Sequence, residues 1–263
     1  MVLFLMALKS KAVSRDWTRV SRLCEAALLS AYRQTDPDFR ILLICHEKPL
    51  LQHEFDHRLE IIQVDFSPPD LHTTETMGDK WRKITLGLTR AAVFKPQFVM
   101  IMDADDLISN RIVAHAHAHP DSSGWILKKG WIYRLGRRFI DIWDDYNCGT
   151  NAIVNSRHIQ FPKDLTTEEF NRCILLTSGH TNIEKSMATA GNPLEPLPFR
   201  GGVYVVEHGD NESILAEGRW QTPWRSTMST INRIKGLIKH LPKKRWVGRK
   251  SRSEFPFDEL NQA

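Results

Sequence analysis

The stretch Phe98 to Ser109, FVMIMDADDLIS, limits what this chain can fold into more than any other. Its apolar residues, Phe98 to Met102, run directly into Asp103-Ala104-Asp105-Asp106. An unbroken apolar run of that length predicts a strand covered on both faces, as in the middle of a parallel sheet. Ligands of open α/β sheets bind outside the carboxyl ends of the strands. The carboxylates therefore stand where chemistry is expected. Asp103 and Asp105 are two residues apart, so an extended backbone points both the same way and lets them converge on one cation. Hard oxygen donors suit Mg²⁺ or Mn²⁺, ions that commonly share their coordination with substrate phosphates. The competing reading is that the acids only end a strand and start a turn. What surrounds the motif decides between the two.

The elements before it alternate. Val2 to Leu8 is apolar and reads as a first buried strand, followed by the loop Lys9-Ser10-Lys11. It lacks a basic leading region and is broken by lysines, which argues against a signal peptide. Trp17, Val20, Leu23, Ala27, Leu28 and Ala31 recur at threes and fours, predicting a helix from Asp16 to Tyr32 that Thr35-Asp36-Pro37-Asp38 ends. Arg40 to Cys45 and Leu59 to Val64 read as strands, and Asp79 to Ala92 as a helix carrying Lys80, Arg82 and Lys83 in its first turn. Strands separated by helices or long connections predict an α/β fold: a doubly wound, mostly parallel central sheet with helices on both faces. A chain of 263 residues suffices for one such domain with a small appendage.

Cys24, Cys45, Cys148 and Cys173 show no Cys-x-x-Cys spacing, which leaves zinc and thioredoxin-like chemistry unsupported and predicts reduced thiols in a cytoplasmic protein. No apolar run reaches the roughly 20 residues of a membrane-spanning helix.

The segment Ala27 to Ile41, with its Leu-x-Ser helix, Gln34-Thr35 and Phe39-led strand, resembles the opening of family 2 glycosyltransferases. Gly87-Leu88-Thr89-Arg90-Ala91, followed by a strand and Asp-Ala-Asp-Asp, resembles the second block of the same family, and some bacterial rhamnosyltransferases share the layout. The resemblance covers roughly the first 110 residues. It implies the GT-A fold, a nucleotide-sugar donor, and Mg²⁺ or Mn²⁺ held at the Asp-x-Asp, with Asp103 near the ribose or a metal-bound water and Asp105 on the ion. The family's second strand normally ends in Asp-Asp-Gly-Ser. Cys45-His46-Glu47-Lys48 stands there instead, with Glu47 as the substitute. Ser10, Glu47, Lys80, Lys83 and Asp103 are the residues expected on the nucleotide and its phosphates, although a solvated basic face accounts equally well for any one of the helix lysines.

Ser123 to Ile132 reads as one strand, and Phe139 to Tyr146 leads to Cys148-Gly149-Thr150-Asn151, where Trp143 is a candidate for stacking on a sugar ring or for the core. Gly179-His180-Thr181-Asn182 opens a helix ending near Gly191, and Gly179-His180 fills the slot where the family carries Glu-Asp with its general base. An imidazole with an unperturbed pKa near 6.5 can take the proton of an acceptor hydroxyl. Asp144, Asp145, Glu168 and Glu169 are the alternatives. Arg200 to Asn211 reads as a buried strand that delivers His208 at its end, and GT-A enzymes, which the chain resembles, often place such a histidine on the metal or the diphosphate.

Between Arg219 and Arg252 lie eleven basic residues and no acid, so the net charge of +5 belongs to this tail. Met228, Ile231, Ile234, Leu237, Ile238 and Leu241 recur at helical spacing up to Pro242. A basic amphipathic helix suits docking on anionic lipid at the inner face of a membrane, and equally suits packing on the domain with a solvated basic face. Residues 1–218 form the expected catalytic domain, with 1–110 binding the nucleotide and 111–218 the acceptor, and residues 219–263 form the tail. The expected partners are a nucleotide-sugar donor, a saccharide or lipid-linked acceptor and an anionic membrane; with no recognition motif, nucleic acid is not among them. The sequence thus predicts a metal-dependent, inverting glycosyltransferase. Its rivals are an inactive carbohydrate- or membrane-binding module of the same fold, and a nucleotidyltransferase, which the loop Lys9-Ser10-Lys11 disfavours because it is not a glycine-rich phosphate loop.

Overall fold

The computed structural model describes residues 1–69, 75–210 and 244–260. The chain is a mixed α/β protein built on a central, mostly parallel sheet. Strand β1 (Val2–Ala7) lies at its heart, parallel to β2 (Phe39–Cys45) on one side and to β4 (Phe98–Asp103) on the other, with β3 (Leu59–Gln63) parallel beyond β2. In this register Leu5 lies beside Leu42 and Ile101, and Ala7 beside Asp103. Beyond β4 come β9 (Ala152–Asn155), antiparallel, then β6 (Gly124–Ile126) and β10 (Glu195–Pro196).

Alternation along β1 explains its unbroken apolar sequence. Val2, Phe4 and Met6 enter one core with Cys24, Ala27, Leu28 and Ala31 of helix α1 (Trp17–Tyr32) and with Ile112, Val113 and Ala116 of α3 (Ile112–Ala118). Leu3 and Leu5 enter the opposite core with Ile84, Leu88 and Ala91 of α2 (Glu75–Phe94) and with Leu175, Leu176, Ile183 and Met187 of α5 (Ile174–Thr189). A short helix α4 (Thr167–Arg172) precedes α5. Asp16 caps α1 by accepting from the backbone N–H of Arg19, as its position before an apolar-periodic run demands.

A second, five-stranded sheet is the part of the architecture that the sequence pattern does not announce. Its order is β12 (Lys244–Trp246), β8 (Phe139–Trp143), β7 (Gly130–Arg134), β11 (Gly202–Val206) and β5 (Leu107–Ile108). The single strand expected over Ser123 to Ile132 is in fact two, β6 and β7, placed in different sheets. The chain crosses between sheets at Lys128-Lys129, and at Gly130 the ring of Tyr146 lies so close that a Cβ would come within 2.1 Å of it. Helix α5 begins before the expected Gly179 and is broken there: Gly179 has φ 55° and ψ −175°, a backbone state that favours glycine.

The end of the chain returns to this second sheet. Strand β12 pairs with β8, and α6 (Arg249–Glu254) and α7 (Phe257–Leu260) follow it. Val247, Phe255, Phe257 and Leu260 are buried with Leu23 and Ala26 of α1, Tyr133 of β7, Ile140 of β8 and Val203 and Val205 of β11. Glu254 anchors the same segment by accepting from Ser109 Oγ at 2.5 Å and pairing with Arg111 at 3.1 Å. Helix α1 is thus clasped between the central sheet and this closing segment. The amphipathic helix expected from Met228 to Leu241 lies outside the described residues, with Arg219, Arg225, Arg233, Lys235, Lys239 and Lys243. Among the described residues no helix is long and apolar enough to cross a membrane. All four cysteines are free and buried, and burial raises the Cys45 thiol to about 11, so these side chains pack rather than react.

Candidate active site

A cavity of about 440 Å³ opens where β1 and β4 end and where the chain leaves β11. Three strand ends thus deliver its polar groups: Lys9 after β1, Asp103 and Asp105 at the end of β4, and His208 and Asp210 after β11. Helix α2 adds Asp79, Lys80 and Trp81 from one side, the link between β8 and β9 adds Asn147 to Gly149, and the break in α5 adds Gly179 and His180.

The two aspartates of the Asp-x-Asp have separate partners. Asp103 Oδ1 accepts from Lys80 Nζ at 2.5 Å, while its backbone N–H donates to Thr150 Oγ1 at 2.9 Å. Asp105 Oδ2 lies 3.0 Å from His208 Nε2. His208 Nδ1 accepts from the backbone N–H of Asp210 at 3.4 Å, so the hydrogen shared with Asp105 is carried on Nε2. Burial acts to raise the Asp105 carboxyl, but the hydrogen bond and charge of His208, aided by Lys80, outweigh it and hold the group below its ordinary range. Asp105 is an anion at neutral pH.

Asp106 is its opposite. It is fully buried; burial first, then the charges of Asp105 and Asp103, push its carboxyl well above the usual range. Its Oδ2 sits 2.6 Å from Thr150 Oγ1 and 3.4 Å from Cys148 Sγ, and Oδ1 has no hydrogen-bond partner among the described residues. Asp106, its carboxyl held protonated by burial, ties the end of β4 to the Cys148-Gly149-Thr150 link. Gly149 belongs to the same arrangement: a Cβ there would come within 2.1 Å of Asp103 Oδ2, so only a glycine lets the carboxylate lie against the backbone.

His180 projects from the start of the second half of α5, exposed at the cavity wall. Partial burial lowers its pKa, Lys80 adds to the lowering and Asp103 opposes it, so the ring is neutral at pH 7 and able to accept a proton. Asp144, the alternative base, is exposed and bound to Arg200 at 2.6 Å, and neither it nor Asp145 lines the cavity. Glu168 and Glu169 pair with Arg172, and Glu169 also accepts from the backbone of Lys163. Trp143 packs against Tyr146 and Tyr204, the core alternative.

The residues expected on the nucleotide divide. Lys80 and Asp103 line the cavity. Ser10 and Glu47 shape the loop after β1 instead: Ser10 caps a short turn and donates to Glu47, which also accepts from Lys11 N at 2.9 Å. Lys83 is fully buried and bridges Asp79 Oδ2 at 2.7 Å and Leu8 O at 2.8 Å, and His46 takes the other oxygen of Asp79 at 2.8 Å. It holds α2 to the ends of β1 and β2. Among the cavity residues not singled out from sequence are Lys9 and Asp210, which pair at 3.3 Å. The only local signal was the position of Asp210 two residues after His208.

Among the described residues no group of three or more His, Cys, Asp and Glu closes into a metal cage. The donor set nevertheless fits an ion of the Mg²⁺ or Mn²⁺ type in a limited sense. Such ions are normally bound by one or two carboxylates and completed by substrate phosphates and water. Asp105 supplies a carboxylate for this share, His208 would join it only once Nε2 gives up the hydrogen it shares with Asp105, and Asp103 is committed to Lys80.

No family model and no curated protein matches the chain. Among solved structures it is similar to the glycosyltransferase TarS of S. aureus. With TarS 1–349 the identity is 14% and the TM-score 0.44, covering 79% of this chain and 61% of that one. With a longer TarS chain the values are 15% and 0.45, covering 80% and 38%. With TarS 1–349 in complex with UDP they are 13% and 0.42, covering 78% and 61%. The chain therefore spans less than two thirds of each of these TarS chains.

Proposed function

We propose that the chain is a glycosyltransferase that moves a glycosyl group from a nucleotide-sugar donor to an acceptor hydroxyl. The observation that carries this reading is the convergence, at the carboxyl ends of parallel strands, of an Asp105–His208 pair, an Asp103–Lys80 pair and a neutral imidazole at His180. Asp105, with His208 once Nε2 has given up its hydrogen, would hold a Mg²⁺ or Mn²⁺ ion beside the donor diphosphate. When bound, such an ion neutralises the charge that develops on the departing nucleoside diphosphate.

The chain's own residues do the rest. Lys80 and Lys9 place fixed positive charge at the phosphate end of the cavity. Asp103, held by Lys80 and pressed against Gly149, is oriented to accept a hydroxyl of the nucleotide's ribose. His180 takes the proton of the acceptor hydroxyl as it attacks. A general base that takes this proton suits a single displacement with inversion at the anomeric carbon.

Calorimetric titration of nucleoside diphosphates and nucleotide sugars, with and without Mn²⁺, tests the reading on wild type and Asp105→Asn. The expected outcome is metal-dependent binding of one nucleotide, lost in the variant. A folded wild-type protein that binds no donor in the panel overturns the transferase reading and favours an inactive binding module. For His180→Ala, kcat is expected to fall about 10²-fold or more with donor binding retained, and the acidic limb of the pH–rate profile, centred below 6.5, is expected to vanish.

A further inference from the structure

We propose that the outer corner of the second sheet, where Phe139 and Trp246 stack beside Arg137, Arg138, Lys244 and Arg245, is a docking surface for an anionic lipid bilayer. This goes beyond the transferase reading and does not depend on the donor chemistry. Trp246 is 64% exposed and Phe139 40% exposed, and their ring centroids are 4.1 Å apart. They face each other across the β8–β12 ladder, in which Trp246 pairs with Phe139. Beyond their mutual stacking, such aromatics leave much of their surface in water, whereas an aromatic ring set among basic side chains suits the headgroup layer of a membrane.

Among the described residues, basic side chains outnumber acids around the pair. Arg137 and Arg138 occupy the exposed turn leading into β8, and Lys244 and Arg245 begin β12, also exposed. The acids at this corner are already engaged: Arg134 pairs with Asp141 and, at 3.0 Å, with Glu207. The corner thus presents cations around an apolar centre, the complement of an anionic interface. Basic residues on an edge strand also guard against edge-to-edge pairing. That role accounts for the charges but not for the exposed tryptophan.

Topology adds the orientation. Strands β7 and β11 are parallel, with Arg134 beside Val206, and Leu135 N donates to Val206 O at 3.0 Å. The turn carrying Arg137 and Arg138 therefore lies at the end of the sheet from which the chain leaves β11 for His208 and Asp210. With strands about 4.8 Å apart, β12 lies roughly 15 Å from β11 across the sheet. The basic turn and the exit of the chain towards His208 and Asp210 thus share one end of the second sheet.

The test is flotation of the full chain with vesicles of phosphatidylcholine alone and of phosphatidylcholine with 30% phosphatidylglycerol. Capture is expected by the anionic vesicles alone, weakening as salt is raised. Arg137→Ala with Arg138→Ala is expected to reduce affinity about 25-fold, at about fivefold for each basic residue near the surface. Trp246→Ala, checked for an unchanged fold by circular dichroism, is expected to reduce it at constant charge. No capture by anionic vesicles, or capture that neither variant weakens, overturns the proposal. Binding of heparin with vesicles left untouched also overturns it, in favour of a soluble polyanion.

Discussion

Asp106 offers the sharpest test of the electrostatics, because its folded and unfolded states hold different numbers of protons over a wide pH range. In the unfolded chain the carboxyl titrates near its ordinary value of about 3.9. In the folded protein, burial and the charges of Asp105 and Asp103 keep it protonated far above that. Between the two values the folded state carries one proton more than the unfolded state, so stability is greatest below the unfolded pKa and is lost as pH rises toward the folded one. The slope is at most about 1.4 kcal/mol per pH unit between the two values. Asp106→Asn removes the titration while keeping an acceptor for Thr150. Its amide nitrogen falls where Oδ1 has no partner among the described residues, a constant cost of about 1–3 kcal/mol. Urea unfolding of wild type and variant, repeated at half-unit steps from pH 4.5 to 8, should therefore show two lines that converge or cross as pH rises, with the variant gaining relative to wild type. Asp105 does not blur the comparison, since its carboxyl is held below its ordinary range and titrates at lower pH. A stability difference that stays constant over the whole interval would refute the neutral Asp106.

Other expectations follow from the packing. Phe257→Ala empties a fully buried site in the third core and is expected to cost about 3–5 kcal/mol in urea unfolding. Lys83→Met strands Asp79 beside a fully buried position and should cost about 3 kcal/mol, much of it recovered in Lys83→Met with Asp79→Asn; a double variant no better than additive would contradict the buried pair. Gly149→Ala should displace Asp103 and weaken donor binding at least about tenfold by calorimetry, with thermal stability checked in parallel.

What the sequence reveals and what it conceals have distinct physical causes. Strands β1, β2 and β4 are legible because cover on both faces requires apolar residues throughout, a signal that needs no knowledge of the partners. Strand β12 is Lys-Arg-Trp, with all three residues exposed, and exists only because β8 offers it a ladder. No local pattern could announce it. Asp103, Asp105 and His208 were legible as cavity residues because they end or follow strands, whereas Lys80 lies within α2 and His180 just after the break in α5. Lys83 shares its helix turn with Lys80, and the charge alone cannot say that one lines the cavity while the other is buried under it. The Lys9–Asp210 pair joins residues 201 positions apart, a distance over which sequence spacing carries no information. Asp144 looked available until Arg200 was placed beside it.

The closing strand has a consequence for biosynthesis. When Ile140 emerges from the ribosome, the segment that will cover it, Val247 to Leu260, is still about a hundred residues away, or on the order of 5–20 s of translation. The central sheet can assemble early, because β1, β2 and β4 lie within the first 103 residues. The second sheet must wait with Tyr133, Ile140, Val203 and Val205 uncovered. During that interval β8 is an open edge, and the nascent chain is most exposed to wrong pairing and to chaperone capture at that strand.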